Sequence, residues 1–256
     1  ITKSMLSQEV LNELNSSSGG GGVVPGSLLA VPANQSAPSG YLLYEEAEPK
    51  DLVWEEKAPV SVARLARDGV EVLGGKIYFV GGKDGSGAKN IAERYDPVTN
   101  TWETLANMSA PRDGVACAVL NGKLYAIGGI GLSSVEVFDP SSGNWTAGVA
   151  LSSEVSYGTA ITVDGKIYLI GGRNASNQDI NQVLCFDPST NQWSAKANMP
   201  TARVGMKLVW FENRIWAIGG NDVSGKVESY DPATNSWQAE TSLKTNRNWA
   251  VAWVAN

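Results

Sequence analysis

Short apolar runs, each closed by two glycines, recur four times along the chain. The runs are rich in aromatic and β-branched residues and read GKIYFVGG to Gly82, GKLYAIGG to Gly129, GKIYLIGG to Gly172 and NRIWAIGG to Gly220. An apolar run of this length between turn residues predicts a buried β-strand. A two-residue turn precedes each run: Gly74-Gly75, Asn121-Gly122, Asp164-Gly165 and Glu212-Asn213. The first three suit a type I′ hairpin, in which both turn residues have positive φ.

Each run is followed by a second repeated signal, an aromatic-Asp-Pro triplet with a tryptophan six residues after the Asp. The four copies are Tyr95-Asp96-Pro97 with Trp102, Phe138-Asp139-Pro140 with Trp145, Phe186-Asp187-Pro188 with Trp193, and Tyr230-Asp231-Pro232 with Trp237. Asp-Pro favours a turn, and the aromatic side chains can bury large areas between sheets. Each unit therefore predicts four antiparallel strands: A before the two-residue turn, B ending in Gly-Gly, C ending in aromatic-Asp-Pro, and D carrying the tryptophan.

These residues resemble the kelch motif over about residues 58–256. The resemblance implies an all-β fold, a kelch-type β-propeller in which each repeat forms one four-stranded blade. The two ends of the chain look complementary. Ser27–Val31, Tyr41–Tyr44 and Trp54 are interpreted as strands B, C and D of a further blade, and Asn248–Asn256 as its strand A. We therefore expect five four-stranded blades, with one blade shared between N- and C-terminal strands.

The first 22 residues differ from the rest, which divides the chain into a stalk-like segment (1–22) and the propeller (23–256). Apolar residues at Ile1, Met5, Leu6, Val10, Leu11 and Leu14 predict a short N-terminal helix, and Ser16–Gly22 reads as a flexible linker. An isolated helix of this length is marginal in water, so we expect it to dock on the propeller or to self-associate, and a disordered tail is the alternative. The segment resembles stalks that precede the heads of surface or tail-fibre-like proteins, which favours a surface-exposed location.

Charge and composition narrow the class of partner. The net charge is −6, which disfavours nucleic acid, and no apolar stretch is long enough to insert into a membrane. The two cysteines, Cys117 and Cys185, are predicted to be buried free thiols rather than a disulfide.

The sequence contains no histidine, which excludes a Ser-His-Asp triad and the usual catalytic zinc sites. Copper oxidases that share the kelch ring need histidine at the metal, so no cofactor, no metal and no catalytic residue is predicted. One enzymatic alternative stays open: a glycoside hydrolase or sugar mutarotase that uses carboxylates in the central channel. Its candidates are Glu71, Asp68, Asp113 and Glu154.

The candidate binding face is the end of the blades where the B–C loops and D–A links meet, because the B–C loops vary most in length and sequence. We refer to it as the loop face. The B–C candidates are Lys83, Asp84, Arg173, Asn174, Asn221 and Asp222. The D–A candidates are Arg64, Arg67, Asp68, Arg112, Asp113, Ser156, Tyr157, Arg203, Arg247 and Asn248.

Kelch propellers that bind acidic peptides use arginines and serines near this place, so the resemblance implies that Arg112, Arg203 and Arg247 form a ring of donors for carboxylates. The alternative is that these arginines brace neighbouring blades. Exposed aromatic residues would serve a glycan as stacking platforms, with candidates Trp210, Trp249, Trp253 and Tyr157. The sequence therefore favours a non-enzymatic module that recognises a protein segment or a glycan, with an architectural role as the remaining alternative.

Overall fold

The computed structural model describes residues 28–29, 42–43, 55–221, 225–249 and 252. The chain divides into two compact units, Ile1–Glu56 and Lys57–Asn256. No helix occurs among the described residues, and this part of the chain therefore contains no helix that could cross a membrane. The predicted N-terminal helix and linker lie outside the described residues.

The first unit contributes two short strands, β1 (Leu28–Leu29) and β2 (Leu42–Leu43). They pair in parallel, with Leu28 opposite Leu42. The prediction that these segments are antiparallel strands B and C of a further blade is therefore wrong in the direction of pairing. The segment between them lacks the Gly-Gly and Asp-Pro signals that set antiparallel pairing in the repeats. The remaining parts of the predicted fifth blade lie largely outside the described residues, and that blade stays a prediction.

The described part of the second unit contains four four-stranded antiparallel sheets, one for each repeat. The first sheet contains β3 (Val70–Leu73), β4 (Lys76–Val80), β7 (Ala92–Asp96) and β8 (Thr101–Thr104), with a small hairpin of β5 (Lys83–Asp84) and β6 (Gly87–Ala88) in its B–C loop. The second contains β9 (Ala116–Leu120), β10 (Lys123–Ile127), β11 (Val135–Asp139) and β12 (Asn144–Ala147).

The third sheet contains β13 (Thr159–Val163), β14 (Lys166–Ile170), β15 (Val183–Asp187) and β16 (Gln192–Ala195). The fourth contains β17 (Lys207–Phe211), β18 (Arg214–Ile218), β19 (Val227–Asp231) and β20 (Ser236–Ala239). In every sheet the strands follow chain order from A to D, which confirms the predicted four-stranded units. Strand A of each sheet contacts strand A of the next, as in the blades of a propeller.

The repeated residues account for this packing. Each repeat tryptophan is partly buried and donates its indole N–H to a carbonyl of the preceding D–A link; Trp145 bonds to Ala106 at 2.8 Å and Trp193 to Val149 at 2.9 Å. The glycine pairs allow close approach between blades. A Cβ on Gly128, whose φ is +64°, would lie 2.2 Å from the carbonyl oxygen of Val155 in the next link. Both cysteines are free and buried, as predicted.

The face opposite the loop face is uniform. All four A–B turns have positive φ at both central residues, including Glu212-Asn213, which the sequence did not favour for this geometry. The Asp of each Asp-Pro turn forms an ion pair with the first residue of strand B in its own blade. The pairs are Lys76–Asp96, Lys123–Asp139, Lys166–Asp187 and Arg214–Asp231. This repetition indicates a structural role for that face.

Candidate binding face at the loops

Three of the predicted D–A arginines are interior residues. Arg64, Arg112 and Arg203 have fully buried side chains, and each bonds to backbone carbonyls of its own blade. Arg112 donates to the carbonyls of Gly128 at 2.6 Å and Ser134 at 2.9 Å. The bonds stabilise the start of each blade, which corresponds to the bracing alternative.

A buried glutamate on strand C completes each of these sites. Together they form the brace pairs, which are Arg64–Glu93, Arg112–Glu136 and Arg203–Glu228. Burial raises the pKa of Glu136, but the bonds from the Ser109 backbone and from Arg112 outweigh it and hold the pKa below its usual value. The pKa of Glu93 is lowered in the same way by Ser61 and Arg64. Sequence reasoning did not identify these glutamates, although strand C carries Glu at one fixed position in three of the four repeats.

The third blade has no brace pair. Val155 occupies the position of Arg112, since its carbonyl accepts from Gly129 as that of Arg112 accepts from Gly82. Leu184 occupies the strand C position of Glu136. Both side chains are buried in one apolar cluster. An apolar pair therefore replaces the charged pair as a unit.

The D–A links share a second kind of position on the loop face. One residue in each D–A link has a left-handed backbone: Arg67, Gly114, Tyr157, Gly205 and Trp249. Glycine adopts this conformation freely, whereas a bulky side chain there is a sterically costly outlier. Such outliers concentrate at functional sites. Sequence reasoning chose Arg67, Tyr157 and Trp249 for their chemistry and missed the shared backbone conformation, for which Gly114 and Gly205 in other repeats are the signal.

The three large side chains at these positions form what we call the mouth cluster: Arg67, Tyr157 and Trp249. The Arg67 guanidinium carbon lies 4.8 Å from the centroid of the Tyr157 ring and 4.5 Å from that of the Trp249 ring. The two rings meet edge to face at 6.0 Å. Cation–π contacts of this kind restrict the position of a guanidinium without using its N–H donors. Arg67 and Trp249 are exposed, and Tyr157 is largely buried.

Asp113 connects the mouth cluster to the B–C loops. It accepts a bond from the Tyr157 hydroxyl at 3.1 Å and forms an ion pair with Lys83 at 3.0 Å. The pKa of Tyr157 is raised, first by burial and then by the Asp113 charge. Arg173 lies 5.9 Å from the Tyr157 ring and pairs with Asp179 at 2.7 Å.

The other predicted residues are placed in different ways. Ser156 is buried and bridges to Arg173 through the backbone. Asp84 bonds to Ser86 and Lys89, Asn174 closes its own loop, and Asn221 bonds to Asp179 and the Val204 backbone. Arg247 and Asn248 are exposed, whereas Asp222 and Trp253 lie outside the described residues. Trp210 is partly buried against the core between the third and fourth blades.

Carboxylates also lie between the A strands, beneath the mouth cluster. Asp68 is close to Lys207 of the fourth blade, with 3.7 Å between Oδ1 and Nζ. Burial raises the pKa of Asp68 to about 6 and that of Glu71 to about 7, against the opposing effect of Lys207. Among the described residues, no three Asp, Glu, Cys or His side chains group closely enough to hold a metal ion.

Comparisons with known proteins match these repeats. The kelch motif family matches residues 69–109, 111–151, 155–200 and 202–244. Human Kelch-like protein 33 is 40% identical over 84 residues, which cover 33% of this chain and 16% of that protein. Kelch-like protein 40 of Xenopus tropicalis is 36% identical over 88 residues, covering 34% of this chain and 14% of the relative.

Two further matches differ in kind. The mouse Influenza virus NS1A-binding protein homolog is 36% identical over 84 residues, covering 33% of this chain and 13% of that protein. These matches therefore span less than a fifth of each curated relative. The solved structure of YjhT aligns with a TM-score of 0.63 at 20% identity, over 75% of this chain and 69% of that one, and shows a shared fold.

Proposed function

The chain belongs to the kelch-repeat family, and we propose that it is a protein-recognition module that binds a carboxylate-bearing segment of a partner on its loop face. The observation that carries the proposal is the state of Arg67. The residue is exposed, its guanidinium lies against two rings, and within the described residues it makes no hydrogen bond or ion pair. A guanidinium fixed in this way is prepared for a bidentate bond to a carboxylate.

The surroundings of Arg67 support a peptide rather than a small anion. Two apolar side chains of the loop face are more than half exposed, Leu65 at 60% and Ile130 at 53%. Trp249 adds a further exposed ring. Interfaces combine an aromatic or arginine anchor with apolar contacts around it, and this face offers both. The name of one relative, the NS1A-binding protein homolog, also refers to a protein partner.

The proposed ligand contacts differ from the ring of arginines that the resemblance implied. Arg112 and Arg203 are fully buried and engaged by their own blades, so we assign them to bracing. Arg67, Lys83, Arg173 and Trp249 take the ligand in our proposal. Arg247 is exposed at the edge of the same face.

Carboxylate catalysis has weaker support. The raised pKa of Glu71 suits an acid catalyst, but Asp68 is paired with Lys207. Glycan binding on the loop face is the other alternative, and it would use Trp249 as a platform.

A peptide library tests the proposal. Fluorescein-labelled peptides that contain Asp or Glu should bind, and their Asn or Gln counterparts should not. Arg67→Ala should weaken binding about 10-fold or more, because hydrogen bonds to charged groups contribute ~1.5–3 kcal/mol. Arg67→Lys should recover little, since lysine lacks the planar fork. Fluorescence polarisation gives the affinities.

Lys123→Ala is the matched control, because Lys123 is an exposed cation on the opposite face. It should leave affinity unchanged, and all three variants should stay folded, with melting temperatures within a few degrees of the wild type because an exposed ion pair contributes only about 0–1 kcal/mol. Equal binding of the acidic and amide peptides, or full affinity in Arg67→Ala, would rule the proposal out.

A further inference from the structure

A pocket lies beside the third blade, the blade in which Val155 and Leu184 stand in place of a brace pair. In the second blade, Glu136 accepts a bond from the Ser109 backbone N–H at 2.8 Å. Ser152 is the counterpart of Ser109, because Leu151 before it bonds to Ser133 as Met108 bonds to Asn90. Leu184 offers Ser152 no carboxylate. Ser152 and Leu184 both line a pocket of about 380 Å³ beside strands C and D of the third blade.

The lining of this pocket carries no charge. Trp193 and Leu184 supply an aromatic and an apolar wall, and Gln182, Gln192 and Ser152 supply the polar groups. The remaining three lining residues are two alanines and a valine. A pocket without a cation or a carboxylate gives no compensation for the desolvation of an ionic ligand, so its ligand is neutral.

The polar side chains of the pocket are available to a ligand. Within the described residues, the side chains of Gln182, Gln192 and Ser152 take part in no protein hydrogen bond, and the Ser152 backbone N–H finds no protein acceptor. Each carboxamide offers two donors and an acceptor, and the serine hydroxyl offers both functions. The indole N–H of Trp193 is already bonded to Val149, so the tryptophan contributes its ring surface.

We propose that this pocket is a second binding site, for a neutral pyranose ring of a glycan. Carboxamides and a hydroxyl match the paired donor and acceptor character of sugar hydroxyls, while an indole matches the apolar C–H face of the ring. The volume lies within the range of small-molecule sites. The site is independent of the loop face, and its ligand needs no contact with Arg67.

Saturation-transfer NMR with glucose, galactose, mannose, N-acetylglucosamine and their β-linked dimers tests this site. At about 10 mM sugar, a millimolar Kd gives a clear signal. Gln192→Ala should weaken the affinity for the sugar that binds by about fivefold, which is the effect of losing one neutral hydrogen bond. Ala150→Trp should abolish binding, because Ala150 is an exposed residue of the pocket wall.

Asn144→Ala is the matched control. Asn144 holds the position of Gln192 on strand D of the second blade, where the brace pair is present. It should leave the signal unchanged, as should Arg67→Ala. Absence of signal from every sugar, or an equal signal from wild type and Gln192→Ala with unchanged melting temperature, overturns the proposal. Loss of peptide binding on the loop face has no bearing on it.

Discussion

The first, second and fourth blades hold their D–A links with a buried arginine and glutamate, whereas the third does so with Val155 and Leu184. The backbone around the two arrangements is the same, since the glycine pair of the neighbouring blade bonds to Arg112, Val155 and Arg203 through equivalent carbonyls. The charged pair is therefore one of two solutions to a packing problem. An arginine buried for that purpose is unavailable to a ligand.

The comparison also separates two uses of arginine in a single stretch of chain. Arg64 has a buried side chain paired with Glu93, and Arg67, three residues later, is exposed and lies against the Tyr157 and Trp249 rings. The two arginines are alike in residue type and in approximate position. They differ because Arg67 is itself the left-handed residue of its link, whereas Arg64 precedes that residue.

Removing one partner of a brace pair should have the largest effect. Arg112→Ala should lower the free energy of unfolding by about 3–5 kcal/mol, because it leaves the Glu136 carboxylate buried without its cation. Urea denaturation followed by tryptophan fluorescence measures the change.

Lys166→Ala is the control, since Lys166 forms an ion pair with Asp187 and its side chain is 42% exposed. Such a surface pair contributes about 0–1 kcal/mol. A loss in Arg112→Ala no larger than that of the control would show that the brace pair is not a stabilising unit.

Transplanting the third blade's solution into the second should have a much smaller effect. The double variant Arg112→Val, Glu136→Leu should stay within about 1 kcal/mol of wild type or exceed it, because apolar residues can replace a buried ion pair without loss. Urea denaturation followed by tryptophan fluorescence again measures the change in the free energy of unfolding. If the double variant is as unstable as Arg112→Ala, the two arrangements are not interchangeable, and the third blade must depend on compensation elsewhere.

Much of the fold was predictable because its signals are local. Gly-Gly, Asp-Pro and the tryptophan lie at nearly fixed spacing, so the strands of four blades followed from one repeat unit. The brace pairs were not predictable in this way. Arg112 and Glu136 are 24 residues apart, and only the folded sheet brings strand C beneath the link.

The conformation of single residues was harder still. Nothing in the side chain of Tyr157 indicates a positive φ, and the turn at Glu212-Asn213 adopts the I′ geometry without a favourable residue at its first position. In both places the neighbouring strands impose the backbone. Comparison across repeats, with glycine at the matching position, is the signal that reveals it.

Carboxylates without a guanidinium partner complete the comparison. Glu136, bonded to Arg112, has a lowered pKa, whereas burial raises that of Glu71 to about 7. Glu71 lies near Lys207 and Asp68. Burial, followed by the charges of Glu71 and Asp68, also raises the pKa of the Cys117 thiol. Since the chain has no histidine, Glu71 and Asp68 are the described groups whose pKa values, about 7 and about 6, fall where histidine usually titrates.

The smallest expected effect follows from this difference in the direction of the pKa shift. A carboxyl with a raised folded pKa keeps its proton in the native state after the unfolded chain has released it, so stability falls as pH rises from about 4.5 to about 7. Glu71→Gln removes this penalty and should raise the melting temperature at pH 8 by about 2–4 °C, with little change at pH 5. A Glu71→Gln variant whose melting temperature follows wild type from pH 5 to 8 would mean that Glu71 is ionised in the native state without cost, as the paired glutamates are.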